Sequence, residues 1–312
     1  MTDPAPFSGP QTDKPAAVPQ IFDRRLLALR RRRAARRFAD YSFLKARAAE
    51  DIADRLSAIN RRFLKVLDLG AQDGSLADAI RANPLSADRV EGEIIGADIG
   101  EGWQTGPLYV CADEEALPFA EGAFDLVVSA LCLHWVNDLP GALIQIRRSL
   151  KPDGFLVAAL FGRRTLNELR EALVLAETEI RGGAGLRVSP FLDVQDGARL
   201  LQRAGFAMPV ADTDLVTVRY DNMFRLLADL KGMGETACFA DRRAPPLTRA
   251  VLSRAAEVYA ERFSDPDGRV RATFEIIALS GWAPAADQPQ PLKPGSAKTR
   301  LADALGTKEI KL

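Results

Sequence analysis

The stretch Val66-Leu67-Asp68-Leu69-Gly70-Ala71-Gln72-Asp73-Gly74, followed by an acid at Asp98, decides how this chain is read. Val66 to Leu69 is a short apolar run of strand length, and Gly70 and Gly74 fall in the turn to a helix predicted from about Ser75. Glycines in such a turn let backbone amides approach a ligand closely, as a nucleotide-like cofactor requires. A second strand, Glu93 to Asp98, ends in a carboxylate that can accept from both hydroxyls of a ribose and that argues against a 2′-phosphate. The glycines alone would equally fit a tight turn with no ligand.

The next segment adds weight to the ligand reading. Leu108 to Asp113 reads as a third strand ending in an acid, and Glu114-Glu115-Ala116-Leu117-Pro118-Phe119 leads to a fourth, Phe124 to Ser129. Three successive strands therefore end in polar or glycine residues, on the edge where open parallel sheets bind ligands.

This order resembles the class I S-adenosylmethionine-dependent methyltransferases over Val66 to Ala159. The resemblance implies a Rossmann-like α/β fold with a seven-stranded, mostly parallel sheet, and S-adenosylmethionine as cofactor. It places Asp68, Gly70 and Gly74 in the first cofactor motif, Asp98 on the ribose, and Asp113 with its neighbour Glu114 on the adenine side. Lys151-Pro152-Asp153-Gly154 matches the turn before the fifth strand. The family usually has glycine where this chain has Ala71-Gln72, so a side chain at Gln72 is expected to narrow the room above the loop.

A closer resemblance runs from about Ile21 to Trp282. Ile21-Phe22-Asp23-Arg24, Ala112 to Phe119, Leu131 to Pro140, Phe161-Gly162, Ser189-Pro190-Phe191, Gly232 to Glu235 and Gly281-Trp282 are similar to the assembly factor five family of respiratory NADH:ubiquinone oxidoreductase. That family implies hydroxylation of an arginine in an iron–sulfur subunit of the complex. A neighbouring family, the malonyl-carrier-protein methyltransferases, shares the His-Trp pair and implies methyl transfer to a carboxylate.

Composition sets the bounds. The 312 residues are 47% apolar, enough for one large domain, and Lys plus Arg equals Asp plus Glu at 42 each. Bulk charge gives no case for nucleic-acid binding, and no apolar run is long enough to span a membrane, although peripheral contact stays open. Three scattered cysteines suit a reducing cytoplasm and no zinc site, and the single histidine, His134, excludes a two-histidine iron triad. No metal is expected.

The expected organisation is a disordered lead over 1–20, a helical cap over 21–64, a methyltransferase-fold domain over 65–283 with a helical insertion at 222–263, and a flexible tail over 284–312. Leu26 to Arg37 reads as a helix basic on most faces, either a solvated surface or a docking face. Tyr41 to Leu64 reads as a second helix that buries Phe43, Leu44, Ala48, Ile52, Leu56 and Ile59 over the cofactor edge. Helices are also expected over Thr165 to Ile180, Val194 to Ala204, Asn222 to Ala240 and Thr248 to Phe263, with antiparallel strands at Val210 to Tyr220 and Ala272 to Leu279.

His134 is the one side chain with an ordinary pKa near neutrality, which makes it a candidate proton acceptor by exclusion. Trp135 is a candidate pocket wall, and Glu235, beside Gly234, a candidate contact for a substrate guanidinium or for a cap residue. Packing roles fit His134, Trp135 and Glu235 as well. Three functions remain open from sequence: a methyltransferase acting on a protein or carrier-bound substrate, an arginine hydroxylase of complex I assembly, and a cofactor-binding chaperone without turnover.

Overall fold

The computed structural model describes residues 19–103, 108–241 and 244–286, and the single positions Gln288, Thr299, Asp303 and Gly306. The expected lead and tail lie almost wholly outside these residues. In chain order the elements are α1 (Arg24–Ala34), α2 (Phe43–Ser57), β1 (Phe63–Leu69), α3 (Ser75–Ala82), α4 (Pro84–Arg89), β2 (Val90–Asp98), β3 (Tyr109–Cys111) and β4 (Phe124–Ala130). They continue with α5 (Leu139–Ser149), β5 (Leu150–Phe161), α6 (Asn167–Arg181), α7 (Val194–Arg203), β6 (Ala207–Tyr220), α8 (Met223–Gly232), α9 (Arg249–Phe263) and β7 (Val270–Trp282).

Seven strands form one sheet in the order β3-β2-β1-β4-β5-β7-β6, with β7 antiparallel to both neighbours and the other pairings parallel. The central strands explain themselves: every residue of β4 is buried, as is Val66 to Leu69 of β1, because helices cover both faces of the parallel part. The chain runs outward from β1 to β3 and then returns to β4 on the other side of β1. That reversal opens a crevice at the carboxyl ends of β1 and β4, where such sheets place ligands.

Several expected boundaries shift, each for a visible reason. The first basic helix stops at Ala34 and continues to Asp40 as a 3-10 helix kinked at Arg37, which turns Phe38 into the core. α2 ends at Ser57 because Phe63 and Leu64 enter β1, Phe63 pairing with Val90. Phe43, expected inside, is exposed, and Lys45 takes an inward position instead. The helix expected over Asn222 to Ala240 covers only α8, and the Lys151 to Gly154 turn is a bulge inside β5, with Asp153 in the left-handed region.

Candidate functional site

Gly70 leaves β1 with φ +79, and a Cβ there would collide with the side chain of Cys132 at the end of β4. Glycine is therefore required for both backbone and space, and the loop presses against the adjacent strand end. α3 then starts at Ser75, as the sequence predicts, and Gly74 is its left-handed N-cap residue. Gln72, where glycine is usual, also has φ +49, yet its side chain is buried and accepts from Lys45 Nζ at 3.1 Å. Lys45 Nζ further donates to the carbonyls of Gly70 at 2.6 Å and Ala71 at 3.2 Å, so α2 clamps the loop from above. The side chain of Gln72 is engaged by that clamp.

Asp68, at the base of the loop, is buried and neither carboxylate oxygen has a hydrogen-bond partner. Burial pushes its carboxyl up to about 7, against the pull of Lys45. Burial in turn lowers the Lys45 ammonium. An orphaned acid of this kind suits a ligand ammonium.

The acids at the ends of β2 and β3 converge on two arginines of α1. Arg31, only 1% exposed, donates through Nη1 to Asp98 Oδ2 and to Glu114 Oε1, both at 3.1 Å. Arg24 bonds Glu114 from the other side and Asp113 Oδ1 at 2.7 Å. Asp98 also accepts from Gly100 N at 2.6 Å, and Glu114 from the Cys132 thiol at 2.7 Å. Burial opposes charge on Glu114, but the flanking Arg24 and Arg31 bring it down to about 2. Asp98, with Arg31 shared and Glu114 nearby, is raised by its burial. Two carboxylates thus divide one guanidinium at equal distances, and Glu114 has Arg24 in addition.

Arg31 therefore stands on the acid that the sequence assigns to a ribose. Its Nε and Nη2 have no partners, a costly state for a buried guanidinium.

A third group lies across the crevice. The chain after β4 makes one 3-10 turn, Leu133–Trp135, and the turn after α8 brings Glu235 against it. Gly234, at φ +78, ends α8 in the left-handed conformation, and Glu235 N then bonds back to Leu230 O at 2.9 Å. Glu235 Oε2 lies 2.9 Å from His134 Nε2 and accepts from Trp135 Nε1 at 2.8 Å. Burial works against its charge, but His134, Arg31 and the Trp135 bond hold Glu235 below the usual carboxylate range. Beside His134 opens a cavity of about 570 Å³, lined by Ile21, Phe22, Arg163, Phe191 and Asp193 among others.

The predicted residues thus fall into three groups: Gly70, Gly74 and Asp68 at the loop; Asp98, Asp113 and Glu114 around Arg24 and Arg31; His134 and Trp135 on Glu235. Arg31 and Lys45 are site residues that the sequence reading did not single out. Their signal was present, because Leu27, Arg31, Ala34 and Phe38 share one helical stripe, as do Lys45, Ala48, Ala49, Ile52 and Leu56. A cation within an apolar stripe marks a buried partner.

A methyltransferase-domain family model matches residues 36–209, more than half of the chain. The chain belongs to that family. The cofactor of these enzymes is S-adenosylmethionine, and the orphaned Asp68, the tight Gly70 loop and the acids ending β2 and β3 suit its charged and hydroxyl groups. The chain is 44% identical to the human protein named Arginine-hydroxylase NDUFAF5, mitochondrial, over 91% of this chain and 83% of that one. It is 33% identical to the Malonyl-[acyl-carrier protein] O-methyltransferase of Halorhodospira halophila, over 84% of this chain and 89% of the relative. A crystal structure of a candidate methyltransferase from Bacillus halodurans superposes with a TM-score of 0.51 at 17% identity, covering 76% of this chain and 99% of that one, and shares the fold. Among the described residues, no helix is long and apolar enough to cross a membrane.

Proposed function

We propose that this enzyme binds S-adenosylmethionine at the carboxyl ends of β1, β2 and β3 and acts on a protein side chain that reaches the cavity beside His134. Asp98 would hold the ribose, Asp113 and Glu114 the adenine side, and Asp68 with the Gly70–Gly74 loop the amino-acid end. When bound, the cofactor supplies a sulfonium-activated group. The protein's own part is alignment and exclusion of water: Phe22 and Phe191 wall the cavity, Trp135 packs edge-on against Phe22 behind that wall, and Glu235 fixes the His134–Trp135 turn.

The observation that carries this reading is the join between the two sites. Glu114, just beyond β3, accepts from the Cys132 thiol in the loop after β4, and the cavity beside His134 begins at the next residue, Leu133. Methyl transfer to a protein or carrier-bound acceptor is the first chemistry. Hydroxylation of an arginine in an iron–sulfur subunit of NADH:ubiquinone oxidoreductase is the second, favoured by the relative's name at 44% identity. Assembly without turnover is the remaining alternative. We place the protein in a reducing compartment, the cytoplasm on the sequence reading, whereas the named relative is mitochondrial.

Mass spectrometry of the arginine-bearing subunit from cells with and without this protein separates these readings. A methyl addition, an oxygen addition and no change have three different outcomes in mass, and only the last contradicts an enzyme acting on that subunit.

A further inference from the structure

His134 and Glu235 form a dyad whose geometry assigns each nitrogen of the imidazole a role. Glu235 is held in its charged form, and a carboxylate can only accept. Its Oε2 already takes the Trp135 indole N–H at 2.8 Å and lies 2.9 Å from His134 Nε2, so Nε2 must carry the proton of that bond. In the neutral imidazole the other nitrogen is then bare. His134 Nδ1 is buried and has no partner in the protein.

The rest of the surroundings leave Nδ1 without another proton source. Phe161 packs on the ring at 4.8 Å and Phe191 at 5.7 Å between centroids. The charged groups that line the adjoining cavity are matched to one another, Arg163 with Asp193 at 3.6 Å and Arg199 with Asp196 at 3.2 Å. Arg31 adds positive charge in the neighbourhood of Glu235.

We infer that Glu235 is a positioning residue that fixes His134 with Nε2 protonated, so that Nδ1 accepts a proton from a protic acceptor, a guanidinium or amine N–H, rather than serving a carboxylate. The inference rests on the proposed acceptor cavity and narrows its substrate class. In methyl transfer the acceptor nitrogen's lone pair would form the N–C bond while the methyl carbon–sulfur bond of the sulfonium breaks with its electron pair left on sulfur; the N–H bond then breaks, its electron pair stays on nitrogen and the proton passes to Nδ1. The imidazolium so formed is matched by the Glu235 carboxylate, the arrangement by which a buried acid supports a histidine base. A carboxylate acceptor has no such proton to lose.

His134 is the only histidine in the chain, so its two ring nitrogens can be followed without assignment ambiguity in protein labelled with 15N-histidine. Long-range 1H–15N spectra should show a protonated Nε2 and a bare Nδ1. Glu235→Gln, which keeps an oxygen acceptor, should retain that tautomer, and Glu235→Ala should release it. Nα-acetyl-arginine methylamide should shift the Nδ1 resonance more than Nε2, and acetate should shift neither. A wild-type Nδ1 that is protonated, a tautomer unchanged in Glu235→Ala, or a bare Nδ1 that the arginine probe leaves unmoved would overturn the inference. These spectra need no cofactor, so failure of the S-adenosylmethionine reading would appear separately, as absent cofactor binding in calorimetry.

Discussion

Single residues in this site are held in states that water would not favour, and each gives a measurable consequence. Asp68 has its carboxyl raised from 3.8 to about 7 by burial, so the folded chain keeps a proton that the unfolded chain releases. Its contribution to stability is fully present below the ordinary value and is lost as pH rises from 3.8 toward about 7. Asp68→Asn removes that dependence. The melting temperature of the variant relative to the parent should therefore be higher at about pH 8 than at about pH 5, and an equal difference at both would contradict the raised carboxyl. Gln72 is balanced differently. Glycine at 72 would relieve a left-handed φ worth roughly 1 kcal/mol but lose a bond from Lys45 worth about 1.5 to 3 kcal/mol. Gln72→Gly should thus lose about 0.5 to 2 kcal/mol in urea unfolding, and a gain would show that relief of the backbone strain dominates.

At the scale of elements, α1 is the piece whose role the sequence left most open. The bulk of its arginines suggested a basic surface, and Arg25, Arg32, Arg33, Arg36 and Arg37 of this region are exposed. Arg24, Arg30 and Arg31 instead turn inward, Arg30 toward the carbonyls of Thr236 and Ala237. Sequence periodicity places the stripe but cannot say which carboxylates will meet it, since Asp98 and Glu114 are 67 and 83 residues away along the chain. With Arg31 on Asp98, a ribose must share or displace a charge-assisted bond worth about 1.5 to 3 kcal/mol. Arg31→Met should therefore strengthen S-adenosylmethionine binding by roughly tenfold, and weaker binding would make Arg31 itself a cofactor contact. The exposed arginines have a separate test. Reversing Arg32, Arg33 and Arg36 to Glu should slow capture of an acidic protein partner at low salt while leaving cofactor binding intact, because exposed charges act on encounter and are screened within about 8 to 10 Å. An unchanged association rate in surface plasmon resonance against the iron–sulfur subunit would reduce this face to a solvated one.

For the whole molecule, the sheet and its ligand edge were legible because strand length, glycine turns and terminal acids are local signals. β1, β2 and β4 fall where Val66 to Leu69, Glu93 to Asp98 and Phe124 to Ser129 predict, and β6 and β7 take the antiparallel places. Long-range pairing was not legible. The stripe around Lys45 signals a buried partner but not that it is the Gly70 carbonyl, and nothing in the sequence around Glu235 indicates that it joins His134 across 101 residues, although the resemblance brought the His134 and Glu235 segments forward. The left-handed Gly234, which turns Glu235 back after α8, is the one local hint of that contact.

On the proposed reading, one cofactor site, anchored by Asp98, serves this fold. Titration calorimetry with S-adenosylmethionine on the parent chain and on Asp98→Ala tests it most directly. Loss of the ribose bonds costs about 1.5 to 3 kcal/mol each, so the parent should bind and the folded variant should bind at least about tenfold more weakly. Equal affinity in a folded Asp98→Ala variant would contradict a ribose held by Asp98.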